Sequence, residues 1–166
     1  MKIEIDETVL RKYHFNFKKA INHIIDTVPQ EHILGLGKIW ITDSTFTKEE
    51  KNAYGLYYGK REGANIPTII INIANLFDNI PKFFFYCIPL IPKLFLANTF
   101  YHEVAHHYQR LRHGITKQKW EIDAKSYSRK MMLRMFKGHI LIIKLVFSPI
   151  LFLYKNLKRG KKKENA

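Results

Sequence analysis

The chain predicts an α+β domain, because one apolar stripe at helical spacing is followed by short β-rich runs between breakers and then by two further helical stretches. Helices and strands are segregated along the sequence. The first element is an N-terminal helix from Thr8 to Val28, whose apolar residues at 9, 10, 13, 17, 20, 21, 24, 25 and 28 describe one side of a helix that Pro29 closes. Sheet comes next. Gly37 to Thr42 carries Ile39-Trp40-Ile41 between breakers and reads as a strand, while Tyr54 to Tyr58 and Thr68 to Ile73 read as a hairpin around a Gly-containing turn. The expected sheet is small, antiparallel and three-stranded. A helix then runs from about Phe95 through His106 to a stop at Gly114, and Thr116 is a credible N-cap for another over Lys117 to Lys137, which contains no Pro or Gly. An apolar stretch, Ile140 to Tyr154, and a basic cluster complete the order. No internal repeat and no Ser/Pro-rich linker divides residues 1–137, which are expected to form one domain, with 138–166 as an apolar and then polybasic helical segment.

Chemistry and spacing coincide in His102-Glu103-Val104-Ala105-His106. Positions four apart lie above one another on a helix, so both imidazoles can reach one ion about 2.0–2.1 Å from each nitrogen. Glu103 is aimed too far aside to ligate that ion with them, yet stands close enough to take a proton as general base. This is the HExxH arrangement of a zinc metalloprotease helix. Two surface histidines on a polar face are the plain alternative; the apolar Val104 and Ala105, and the apolar run upstream, argue for a buried helix.

Zinc held by two histidines needs a third protein ligand and leaves a fourth position open. His113, Glu121 and Asp123 are the candidates downstream. His113 would lie two turns along the same helix, about 10 Å away and too far for the same ion unless the helix ends early. Gln109 and Arg112 stand where a Gly turn and a third histidine would be needed, so that variant pattern fails. Glu121 suits better, because a short turn at Gly114 returns the next helix antiparallel beside the first. Ala124 and Ser128 share its face, and their small volume lets two helices approach. Asp123 points about 200 degrees away and suits an outer shell or the surface. An exposed Glu121 paired with Lys117 or Lys125 is the alternative.

His102-Glu103-x-x-His106 followed by Glu121-x-x-Ala124 resembles the gluzincin metallopeptidases, and the short chain is similar to their compact members, the minigluzincins. The resemblance extends upstream to a Gly-x-Tyr strand, a polar turn and an Ile-rich strand, and covers about residues 36–128. It implies a zinc cofactor held by His102, His106 and Glu121, with Glu103 as the catalytic base. Some gluzincins carry an Asp four residues after the ligand Glu, where it orients a zinc-binding histidine. Lys125 stands here instead, so that support must come from Asn98, Asp123 or a backbone carbonyl. Tyr54, Tyr127, His107 and His139 are all of the type that stabilises an oxyanion, and none is singled out.

A protease of this build would bind a peptide or unfolded protein as an added strand, and Ala53 to Tyr58, with Ala53, Tyr54, Gly55 and Leu56 nearest the start, is the expected edge. The tyrosines there serve equally well as ordinary strand residues.

Composition bounds the setting. With 46% hydrophobic and 25% charged residues the chain is of globular type, and its single cysteine, Cys87, excludes an internal disulfide and suits a reducing compartment. Met1 to Glu7 alternates Ile with charge and lacks the apolar run of a signal peptide, so a cytoplasmic protein is expected. A net charge of +14 calls for explanation, and an anionic membrane surface or nucleic acid would each supply one. Lys155 to Lys163 follow the apolar stretch directly, as suits peripheral attachment to the inner face of a membrane, where each Lys or Arg contributes roughly 1 kcal/mol. Fifteen helical residues cover only about 22 Å, which favours an interfacial helix over a span. The same segment is long enough to cover the cleft. Nine Lys or Arg against two acids between Arg110 and Lys137 would also suit nucleic acid, though no recognised motif accompanies them. Two classes follow: a zinc metalloendopeptidase, and a non-catalytic or latent metal-binding module tethered to membrane or nucleic acid.

Overall fold

The computed structural model describes residues 1–44, 51–59, 65–78, 80, 81, 83, 85, 88–110 and 117–139. Cys87, His113, Gly114, Thr116 and the whole Ile140–Lys163 stretch, on which several expectations rest, lie outside them. The class is α+β, but the sheet differs from expectation. It has four strands in the order β1-β2-β4-β3: β1 (Lys2–Ile5), β2 (Lys38–Thr42), β3 (Gly55–Tyr58) and β4 (Thr68–Asn72). Only the β3–β4 pair is antiparallel, with Gly55 opposite Ile71 and Tyr57 opposite Ile69; β1–β2 and β2–β4 are parallel.

β1 is a strand beyond the three that periodicity predicts, and it lies parallel to β2. Ile3 and Ile5 pair with Ile39 and Ile41, and Glu4 lies between Lys2 (2.7 Å) and Lys38. Those two ammonium groups hold the Glu4 carboxyl down at about 2. Because helical residues separate β1 from β2, the chain re-enters the sheet in the same direction, as a crossover requires. β4 then inserts between β2 and β3. Its Ile69, Ile70 and Ile71 are all buried, the continuous apolar run expected of a strand covered on both faces.

The expected helix over Thr8–Val28 is two helices, α1 (Glu7–Lys12) and α2 (Phe17–Ile25). Tyr13 turns extended at φ −120°, and the Asn16 side chain accepts a hydrogen bond from Lys19 N at 2.9 Å, starting α2 afresh. The Tyr13 ring packs edge-on against Phe17 and Phe77, which ties the break to the core. A single apolar stripe could not reveal this, since local capping overrode it.

After α3 (Ile73–Phe77), the long helix α4 runs from Leu90 to Arg110. Pro92 sits in its first turn, where a missing N–H is tolerated. α4 packs on β3, β4 and α2, burying Leu96, Phe100, Tyr101 and Val104 completely. The last helix, α5 (Lys117–Met135), buries Ala124, Ser128 and Met131 on one face. The chain forms two compact units, Met1–Met132 and Leu133–Ala166. In the second, the described residues are the end of α5 and a short continuation in which the Phe136 and His139 rings meet at 5.7 Å. Among the described residues no helix is long and apolar enough to cross a membrane.

Candidate metal centre and cleft

α4 carries the HExxH residues in mid-helix, so their spacing is set by the helix itself. His102 Nε2 and His106 Nε2 face each other at 3.1 Å. α5 brings Glu121 to the same point: its Oε2 lies 3.5 Å from His102 Nε2 and its Oε1 3.4 Å from His106 Nε2. These are the residues among those described whose ligand atoms converge as a metal would require. Ligands about 2.0–2.1 Å from a tetrahedral zinc stand roughly 3.3 Å apart, and the two imidazole nitrogens at 3.1 Å, with one carboxylate oxygen 3.5 Å from His102 and the other 3.4 Å from His106, are spaced on that scale. Two imidazoles and a carboxylate are also a donor set that zinc accepts.

Electrostatics acts on both imidazoles. Burial disfavours the charged form of both histidines and lowers their pKa values; the neighbouring imidazole and Lys125 lower His102 further, and Arg110 lowers His106, against Glu121, which raises both. Neutral imidazoles are the ligating form. Glu103 is only 6% exposed. Burial first, and the Glu121 charge second, push its carboxyl up to about 8.

Several neighbours fix this geometry. Ser128 Oγ donates to Asn98, reaching both its backbone O (3.1 Å) and its Oδ1 (2.6 Å), and so clamps α5 to α4 one turn before His102. Asn98 thus acts on the helix pair; its side-chain oxygen is spent on Ser128. Asp123 is partly exposed and is not among the groups that converge on the imidazoles. Gln109 was not foreseen as a support. Its Nε2 donates to the Trp120 carbonyl at 3.2 Å, one residue before Glu121, and its side chain favours the imidazolium form of His106. The signal was available: position 109 is three residues after His106, on the ligand face.

The cleft lies between β3 and α5, over α4. One cavity, about 400 Å³, is lined by Tyr54, Gly55, His102, Glu103 and Lys125; a second, about 510 Å³, by Leu56, Tyr57, His106, Arg110 and Trp120. His102, Glu103 and Gly55 face both. Gly55 permits the approach, because a Cβ there would meet Thr99 Cγ2 at 2.6 Å and Glu103 Oε1 at 3.1 Å. Of the expected edge, Ala53 and Tyr54 precede the strand proper, with their carbonyls taken by Asn75 Nδ2 (2.9 Å) and Asn72 N (2.9 Å). Gly55 and Leu56 lie in β3, one of the two edge strands among the described residues.

Among the four oxyanion candidates, His107 is engaged at both nitrogens, by Tyr57 OH (3.0 Å) and the Leu34 carbonyl (2.9 Å), and so braces β3 and the Leu34 backbone against α4. Tyr127 OH pairs with His32 Nδ1 at 2.8 Å. Tyr54 lines the cavity shared with Glu103. His139 belongs to the second compact unit. Comparison with known protein families, with curated proteins and with solved structures finds no match for this chain.

Proposed function

We propose that the chain is a zinc-dependent metalloendopeptidase similar to the gluzincins. The observation that carries this reading is the convergence of donor groups from His102, His106 and Glu121, with a buried carboxylate, Glu103, next to them in an open cleft. Zinc at that point would supply a Lewis acid that polarises a peptide carbonyl and makes water nucleophilic near neutral pH. Glu103 then does the proton work. Its carboxylate takes a proton from the attacking water and passes it to the departing amine, so that one group serves as base and then acid. A dication beside it favours the ionised form that the first step needs, against the burial that raises its pKa in the metal-free protein.

Substrate is held by β3. An extended peptide laid along the outer edge of Gly55–Tyr58 gains backbone hydrogen bonds, which give affinity without a demand for sequence, and is presented to Glu103 where Gly55 brings the strand down. Zinc measured in the purified protein, and cleavage of an unfolded protein with and without chelator by wild type and Glu103→Gln, test this. The expected result is one zinc per chain in both proteins and chelator-sensitive cleavage only in wild type. Equal turnover by both would remove the reading.

A further inference from the structure

The two ends of the cleft differ in charge. At the His106 end, Leu56, Tyr57 and Trp120 give apolar walls, and the Arg110 guanidinium lies over the Tyr57 ring at 5.1 Å. At the His102 end the wall is α5, which presents Lys125 and Arg129 into the cavity that contains Tyr54, His102 and Glu103. Lys125 and Arg129 are four apart, on one helical face, where like charges oppose each other. Among the described residues neither forms an ion pair, and Glu121, the acid four residues before Lys125, is turned to the two imidazoles instead. A metal there would claim its charge. Two cations without an ion-pair partner among the described residues, in a concave wall beside the reacting centre, form a site for a carboxylate, which the Arg129 fork can take through two parallel hydrogen bonds.

We propose that this cavity is a subsite for an acidic side chain, so that Lys125 and Arg129 direct cleavage to peptide bonds with Asp or Glu nearby on one side. The proposal rests on the peptidase reading above. β3 runs from the acid-binding cavity, at Tyr54 and Gly55, toward the apolar one, at Leu56 and Tyr57. A peptide docked antiparallel to it would therefore carry the acid C-terminal to the cleaved bond, and a parallel one N-terminal.

The test uses the zinc-loaded full chain and peptides that differ at one position at a time, holding Glu, Gln or Lys. An acid at one position should raise kcat/KM about tenfold over Gln, an advantage that shrinks as salt rises. Lys125→Glu/Arg129→Glu, checked for unchanged zinc content, should invert the preference toward Lys. Binding of a fluorescent Glu-containing peptide to Glu103→Gln protein, against its Gln twin, gives a readout independent of turnover. Cleavage without acid preference, or a preference that ignores the charge reversal, overturns the subsite and leaves the peptidase reading standing. Acid-selective binding that charge reversal abolishes, without cleavage of any peptide, supports the subsite and removes the peptidase reading. Neither selective binding nor cleavage overturns both.

Discussion

Gly55 and Glu103, nearly fifty positions apart in the sequence, are so close that a Cβ on Gly55 would stand 3.0 Å from Glu103 Cγ. The outer strand therefore rests on the side chain assigned the proton transfer. The position of the strand and that of the Glu103 carboxyl are one geometric fact, and a change at either is felt by the other.

Gly55→Ala is expected to destabilise the protein by about 1–3 kcal/mol, since the added methyl meets the stiff, β-branched Thr99 at 2.6 Å and a packed strand cannot yield cheaply. Thr99→Ser removes the methyl it strikes. Urea unfolding of the single and double variants measures this: the double should regain much of the loss, and an unchanged midpoint in Gly55→Ala would mean that the strand is not held so low.

Glu121→Ala should weaken zinc binding by more than about 100-fold, because on the proposed reading it removes a ligand outright, where loss of an outer support alone costs about 10–100-fold. Competition with a chromophoric chelator reads it. Since half of the Glu121 side-chain surface is exposed, the fold should survive, and circular dichroism of the variant should match wild type.

Gln109→Ala should cost on the order of 10–100-fold in zinc affinity without removing any of the three converging side chains, through release of the Trp120 carbonyl one residue before Glu121. The same titration decides. Affinity equal to wild type would show that α5 holds Glu121 in place without Gln109.

Metal-free stability should carry a Glu103 signature in its pH dependence. The folded carboxyl is raised from 4.5 to about 8, so its contribution is fully present below about 4.5 and is lost as pH rises through 8. His102 and His106 act in the opposite sense, because their lowered pKa values cost stability as pH falls below the usual histidine range. The difference between wild type and Glu103→Gln isolates the carboxyl: with chelator present it should move against wild type by on the order of a few kcal/mol between pH 4 and pH 9. Denaturant midpoints across that range check it, and a flat difference would mean that Glu103 is ionised in the folded, metal-free protein.

The sequence by itself determined what local geometry encodes. His102 and His106 share a helical face because four residues make about one turn, and Ala124 and Ser128 mark the close-packing side of the Glu121 helix by the same rule. The Tyr54–Tyr58 and Thr68–Ile73 hairpin was legible too, since its strands are neighbours along the chain. Tertiary structure alone decided the rest. It set the parallel pairing of β1 with β2 and of β2 with β4, because strand order depends on contacts between distant segments that no periodicity records. It broke the first helix at Tyr13, where ring packing and the Asn16 cap outweighed a continuous stripe. It also brought Glu121 within 3.5 Å of both imidazoles and lowered Gly55 onto Glu103, distances that follow from how α4, α5 and β3 pack and not from any spacing in the chain.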